Sequence, residues 1–221
     1  MIPTPSRRTF LTHATSAGLF AALSLPMLSA KHHSSDRFTL GLSQYSLRAL
    51  LRDGSLDALD FPQFTVDQFG LQAIDLWEGG LPKDKLDDSK YLTKMRNRAE
   101  QAGTDLFLLM SGALDASPKK REASSTKIVA SFDRAVQLGA PMVRVFLKAP
   151  GTDPAAGVQA SVEALKPLAD EAARRQLTIA IEPGASQLSQ KGAFLAKVAI
   201  RLKHPALGLM PDFGKLKDNI Y

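Results

Sequence analysis

The sequence contains no cysteine, a single tryptophan and only four histidines among its 221 residues. The absence of cysteine excludes a disulfide framework, thiolate zinc sites and a cysteine nucleophile. The chain is not apolar enough for a polytopic membrane protein, and its 44% of hydrophobic residues is too high for a disordered chain. We therefore expect one well-packed folded domain.

Two nucleotide-binding motifs are also missing. No G-x-G-x-x-G follows the first apolar run, and no G-x-x-x-x-G-K-[ST] occurs anywhere in the sequence. Their absence weakens the case for a nucleotide-binding sheet. The net charge is +6, but no run of lysine and arginine is interleaved with aromatic residues. We therefore expect no nucleic-acid partner.

The first thirty residues have the pattern of a secretory signal. Arg7 and Arg8 precede an apolar stretch, and small residues follow it up to Ala30. This pattern predicts a twin-arginine signal over residues 1–30, a lead-in over residues 31–37, and export to the bacterial periplasm. The alternative is an anchor helix that stays attached. After cleavage we expect no stable membrane span.

From residue 38 to residue 221, short β-rich apolar runs alternate with helical segments. This alternation predicts βα units and a parallel sheet, which fits either a (β/α)8 barrel or an open doubly wound sheet. Pro167 is expected to kink or interrupt its helix. The predicted strands are 38–42, 71–76, 104–110, 142–147, 177–182 and 207–212, and the predicted helices are 60–70, 89–102, 125–138, 158–175 and 191–202.

Polar residues follow the apolar runs, where the carboxyl ends of barrel strands would form an active site. Glu182 and Asp212 each come directly after such a run. A buried unpaired carboxylate is costly, so each needs an arginine, a lysine or a metal ion nearby. Two neighbouring carboxylates could hold a divalent cation. The alternatives are a helix N-cap, or a structural salt bridge with Arg144 or Lys148.

Several segments together resemble a known family. They are LGLSQYSLRALL, LDALDFPQFTVDQFGLQAIDLWEG, VRVFLKAPG, TIAIEPGA and HPALGLMPDFGK, in this order from about residue 38 to the end of the chain. The likeness is to the xylose-isomerase-like sugar phosphate isomerase/epimerase family, which is related to endonuclease IV. The resemblance implies an α/β fold of the (β/α)8 TIM-barrel type, with about six of eight β/α units in this sequence.

The resemblance also implies site residues and a cofactor. Glu182 and Asp212 match the first two ligands of a divalent metal (Mn, Mg, Co or Zn), and Glu182 would also move a proton. Glu78 lies where such proteins often contact the substrate. Basic side chains are further candidates to bind hydroxyl, carboxylate or phosphate groups, namely Arg144, Lys148 and Lys215. The implied partner is a small carbohydrate: a sugar, a sugar acid or a cyclitol.

The sequence ends nine residues after Asp212. Strands 7 and 8 of the implied barrel, with their metal ligands, are therefore expected to be missing, so metal binding should be weak or absent. The first and sixth strands should be open edges that permit self-association. Two other functions stay open: a catalytically inactive sugar-binding or relic barrel fragment, and an endonuclease-IV-like DNA repair enzyme.

Overall fold

The computed structural model describes residues 38–216 as six parallel β-strands that alternate with helices. The sheet order follows the chain, β1 to β6, and every neighbouring pair is parallel. This is a partial (β/α)8 barrel of about six units, as predicted. The strands are β1 Gly41–Ser43, β2 Ala73–Trp77, β3 Asp105–Asp115, β4 Met142–Lys148, β5 Thr178–Glu182 and β6 Leu207–Leu209. The helices are α1 Arg48–Asp53, α2 Phe61–Phe69, α3 Ser89–Gln101, α4 Arg121–Leu138, α5 Pro154–Arg174 and α6 Gly192–Leu202.

The period of two along the strands separates an outer from an inner face. In β4, Val143, Val145 and Leu147 belong to the main apolar core, where they pack with the helices. The residues between them point to the opposite face, and Arg144 is one of them. A second, smaller apolar cluster of Leu108, Met110 and Ala180 occupies this inner face. The inner face therefore carries both this small apolar cluster and polar side chains such as Arg144.

The helix ends follow local sequence signals. The side chain of Asp88 accepts hydrogen bonds from the amides of Lys90 and Tyr91 at the start of α3, as an N-cap does. Helices α2 and α4 end at Gly70 and Gly139, whose φ angles of 65° and 76° belong to the left-handed region that glycine tolerates best.

Of the two outcomes expected at Pro167, a kink or an interruption of the helix, the interruption does not occur, because α5 continues through this residue. Proline removes one backbone donor. The helix is nevertheless held by buried residues on both sides of Pro167, including Leu165 and Leu168. Two strand bounds differ most from the prediction. β3 extends to Asp115, β6 ends at Leu209, and Asp212 therefore lies in the loop beyond its strand.

β1 and β6 are the two edge strands of the described sheet. Self-association through these edges stays a prediction. Among the described residues, no helix is long and apolar enough to cross a membrane. The predicted signal in residues 1–30 and the lead-in to residue 37 lie outside the described residues.

Candidate functional site

A cavity of about 570 Å³ opens on the inner face of the sheet, near the carboxyl ends of the strands. Parallel strands bring the side chains of all six units to this one place. The polar residues that line the cavity are Ser43, Asp75, Ser111, Arg144, Glu182, Asp212 and Lys215, and its aromatic residues are Tyr45, Trp77 and Phe146.

Arg144 and Glu182 form a buried ion pair in this cavity. Nε of Arg144 lies 2.8 Å from Oε2 of Glu182, although its N–H makes no hydrogen bond in the described part of the chain. Nη1 of Arg144 donates to the carbonyl oxygen of Ser111 at 2.7 Å. The guanidinium also lies 4.2 Å from the ring centre of Phe146. Burial lowers the pKa of Arg144 and its carboxylate neighbours oppose that shift, so the arginine stays a cation.

Lys215 is the second cation of the cavity, and it bridges two carboxylates. Its Nζ hydrogen-bonds to Oε1 of Glu182 and lies 3.1 Å from Oδ2 of Asp212. Burial opposes the charge of both Lys215 and Asp212. The hydrogen bonds among these three side chains nevertheless raise the pKa of Lys215 and lower the pKa of Asp212. Asp212 and Lys215 therefore stay charged near neutral pH.

Asp75 is a third carboxyl group, in the middle of β2, and it is 5% exposed. Its Oδ1 accepts hydrogen bonds from Oγ of Ser43 at 3.0 Å and from the amide of Gln44 at 3.2 Å. Within residues 38–216, its Oδ2 accepts none. Burial raises the pKa of Asp75 to about 6, against the weaker opposing effect of those hydrogen bonds and of Arg144. Such a group can both release and accept a proton near neutral pH.

Two aromatic rings meet edge to face at one side of the cavity. The ring centres of Tyr45 and Trp77 are 4.9 Å apart, at an angle of 85°. Gly79 lies against Trp77, since a Cβ at residue 79 would come within 2.4 Å of the indole ring. The glycine therefore permits the observed position of Trp77. Apolar ring faces beside charged groups are suited to a ligand that has both hydroxyl groups and C–H surfaces.

The structure brings together four of the six residues that the sequence proposed for the site. Glu182, Asp212, Arg144 and Lys215 all line the cavity.

The other two predicted residues do not line it. Glu78 accepts a hydrogen bond from Nη1 of Arg134 in α4 at 2.6 Å, and Lys148 lies 3.3 Å from Asp115. A substrate role for Glu78 and Lys148 stays a prediction.

The sequence-based selection did not include Asp75, Tyr45 or Phe146. For Asp75 a signal was available, because it is the only charged residue within the apolar strand Ala73–Trp77. Tyr45 and Phe146 gave no such signal, since aromatic residues in and beside strands usually belong to a core.

The two predicted metal ligands do not present free oxygen atoms. Oε1 and Oε2 of Glu182 face Lys215 and Arg144. Oδ2 of Asp212 faces Lys215, and its Oδ1 accepts the amide of Gly214 at 2.9 Å. No group of three or more metal-ligating side chains occurs in the described residues. In this arrangement the donor set does not fit a divalent cation, which prefers several oxygen ligands.

Comparisons with known proteins agree with this architecture. Residues 65–218 match the family described as the xylose isomerase-like TIM barrel. No curated protein sequence matches the chain.

Solved structures with the same fold include enzymes of several kinds. The chain superposes on the probable 3-DHS dehydratase involved in petrobactin synthesis from Bacillus anthracis with a TM-score of 0.65 and 18% identity, covering 81% of this chain and 64% of that one. For D-psicose 3-epimerase with D-tagatose from Clostridium cellulolyticum H10, the TM-score is 0.62 and the identity 12%, with 75% and 62% covered. For a family 2 AP endonuclease from Brucella melitensis, the TM-score is 0.60 and the identity 13%, with 73% and 66% covered. The chain thus spans about two thirds or less of the length of these proteins.

Proposed function

The chain belongs to the xylose isomerase-like TIM barrel family, and from this premise we propose that its cavity binds a small carbohydrate and moves a proton at a carbon beside a carbonyl group. The proposed class is a sugar isomerase or epimerase, and a free sugar, a sugar acid or a cyclitol is the proposed substrate. The observation that carries the proposal is the cavity itself. It combines Asp75, whose pKa of about 6 suits proton transfer, with the two cations Arg144 and Lys215.

The proton transfer is assigned to Asp75. Its Oδ1 is held by Ser43 and Gln44, which leaves Oδ2 for a ligand. As a carboxylate, Asp75 takes the proton from the carbon beside the carbonyl, and the electron pair of the broken C–H bond moves to the carbonyl oxygen as an enediolate forms. Return of this proton to the former carbonyl carbon gives an isomer, while the proton of the adjacent hydroxyl group passes to the former carbonyl oxygen. Protonation of the original carbon on its opposite face, by water, gives an epimer, and Asp75 then passes its proton to solvent.

The negative charge that develops on the oxygen needs a fixed positive charge near it. Arg144 and Lys215 both line the cavity and are both held by Glu182, so they keep their positions before a ligand binds. The aromatic rings of Tyr45, Trp77 and Phe146 supply flat apolar surface for the C–H face of a sugar. Since the carboxylates of Glu182 and Asp212 are already paired, none of these steps uses a metal ion.

Hydrogen exchange with solvent tests this assignment directly. Aldoses, ketoses, sugar acids and cyclitol ketones are incubated with the purified chain in D₂O, and loss of the C–H signal beside the carbonyl is followed by proton NMR. We expect exchange with at least one of these compounds, and loss of that exchange in Asp75→Asn. Asp105→Asn is the matched control, because Asp105 is exposed at the amino-terminal end of β3 and does not line the cavity.

Each other outcome has a distinct meaning. Binding without exchange, in all compounds, would support the inactive sugar-binding alternative and contradict the proposed reaction. Exchange that survives in Asp75→Asn would remove Asp75 from the reaction. Cleavage of abasic DNA by the purified chain would instead favour the endonuclease alternative.

Export by the twin-arginine route is a separate proposal that rests on residues 1–30. These residues fused to a reporter protein should direct it to the bacterial periplasm, and replacement of Arg7 and Arg8 by lysine should retain it in the cytoplasm. A reporter that reaches the periplasm equally well without the arginine pair would contradict the proposed route.

A further inference from the structure

The ammonium group of Lys215 lies between the carboxylates of Glu182 and Asp212. It is hydrogen-bonded to Oε1 of Glu182 and lies 3.1 Å from Oδ2 of Asp212. Each carboxylate comes from a different β/α unit. One lysine therefore joins the ends of two neighbouring strands, a connection that a bridging metal ion would otherwise make.

The loop after β6 is folded so that Lys215 returns to the cavity. The amides of Lys215 and Leu216 donate to the carbonyl oxygen of Asp212, both at 3.0 Å, and the side chain of Asp212 accepts the amide of Gly214. These three backbone donors hold one turn together. The turn carries the lysine from the sheet edge to a position above Glu182.

Two further residues, Gly184 and Phe146, lie against the lysine side chain. Gly184 has a φ angle of 134°, and a Cβ at this residue would lie 3.0 Å from Cδ of Lys215. The ring centre of Phe146 lies 4.5 Å from Nζ, within the range of a cation–π contact. The side chain of Lys215 is thus surrounded by residues from β4, from the loop after β5 and from the loop after β6.

The charges of Glu182, Asp212, Lys215 and Arg144 balance without any further cation. Glu182 and Asp212 supply two negative charges, and Lys215 and Arg144 supply two positive charges. A divalent metal ion between the same carboxylates would have to displace the ammonium group. It would also face the repulsion of both neighbouring cations if Lys215 stayed in the cavity.

We propose that Lys215 is the resident cation of this site, that it occupies the position of a divalent metal between Glu182 and Asp212, and that it excludes such a metal. An ammonium group has three N–H donors, of which two are directed to the carboxylates. One donor is left for an anionic oxygen of a ligand. This last step rests on the proposed function, whereas the exclusion of metal does not depend on any turnover.

Manganese titration of the purified 221-residue chain tests the proposal. We expect no saturable binding of Mn²⁺ to the unaltered chain at or below about 1 mM, by calorimetry and by electron paramagnetic resonance. In Lys215→Met the affinity for Mn²⁺ should rise at least about tenfold, because Oε1 of Glu182 and Oδ2 of Asp212 lose the cation between them. In the double variant Lys215→Met with Asp212→Asn, the gain should disappear.

Lys166→Met is the matched control, since Lys166 is an exposed lysine that pairs with Asp170 on the outer helix α5. It should leave Mn²⁺ binding as it is in the unaltered chain. Circular dichroism of each variant checks folding, and Lys215→Gln replaces Lys215→Met if the latter fails to fold.

Two results would overturn the proposal. One is saturable micromolar binding of Mn²⁺ by the unaltered chain, which needs no variant at all. The other is a folded Lys215→Met or Lys215→Gln chain with no gain in affinity. Both readouts are made without sugar, so they stay separate from the hydrogen-exchange experiment, and either proposal can fail while the other stands.

Discussion

Nε of Arg144 lies 2.8 Å from Oε2 of Glu182, with the two side chains 7% and 5% exposed. The pair joins β4 to β5 on the inner face of the sheet, and both side chains line the cavity. Because it is so well shielded from water, loss of one partner leaves a charge with few means of solvation. The same pair that orients the site therefore also stabilises the fold.

Replacement of Arg144 by methionine should lower the free energy of unfolding by about 1–3 kcal/mol, since Glu182 keeps only Lys215 as a cation and the Ser111 carbonyl loses its donor. Urea denaturation of the variant measures this change. Arg96→Met is the control, because the Arg96–Glu100 pair is exposed on α3 and should contribute less than about 1 kcal/mol. Equal effects of the two substitutions would mean that the buried Arg144–Glu182 pair contributes no more to stability than an exposed pair.

The raised pKa of Asp75 predicts a pH dependence of stability. Folding shifts this pKa from 3.8 to about 6. Between about pH 4 and pH 6, the folded chain keeps a proton that the unfolded chain has released, so the contribution of Asp75 to stability falls as the pH rises through this window. Below the window the contribution is fully present, and above it there is no further change.

Asp75→Asn removes this ionisation while keeping a side-chain oxygen for Ser43 and Gln44. From pH 4 to pH 7, the unfolding free energy of the variant should therefore gain up to about 3 kcal/mol relative to the unaltered chain. Urea denaturation at several pH values measures the difference, and Asp105→Asn should not reproduce it. A difference that stays constant over this range would contradict a raised pKa at Asp75.

Gly79→Ala should disturb the aromatic wall of the cavity. The new methyl group would meet the indole ring of Trp77 and force it away from Tyr45. We expect a loss of about 1–3 kcal/mol in stability and weaker binding of any carbohydrate ligand. Trp77 is the only tryptophan, so its fluorescence and the near-ultraviolet circular dichroism report the change.

Gly208→Ala is the control for that substitution, because a Cβ at residue 208 would meet only ordinary contacts at 3.9 Å. If Gly79→Ala has the same spectra and ligand affinity as the unaltered chain, the ring has room to move and the glycine is not required there.

Glu78→Gln separates a structural role from a role in substrate binding. Glu78 is 17% exposed and paired with Arg134 at 2.6 Å, so the substitution should cost about 1–3 kcal/mol of stability. The affinity of the cavity for a ligand should stay unchanged, as measured by titration of the variant with a sugar that binds the unaltered chain. A clear loss of affinity at unchanged stability would restore the sequence-based interpretation of Glu78. Asp87→Asn, on the exposed partner of the same arginine, should have the smaller effect on stability.

The βα alternation and the placement of Glu182 could be predicted because they depend on local patterns. A strand buried on both faces is a short apolar run, and a polar residue at its carboxyl end is visible in the sequence. The bounds of β3 and β6 were harder to predict. Hydrogen bonding to the neighbouring strands decides where a strand ends, and that information is not local.

The sequence by itself determined that this chain forms a parallel α/β barrel architecture and that acidic and basic residues gather at the strand ends. Only the tertiary structure decided which of these charges meet. Glu78 and Lys148 pair with Arg134 and Asp115 outside the cavity. Lys215 lies three residues after Asp212, in the loop that follows β6. Its ammonium group occupies the space between the carboxylates of Glu182 and Asp212. Charge pairing depends on distances and burial across separate units, and these exist only after the strands have assembled.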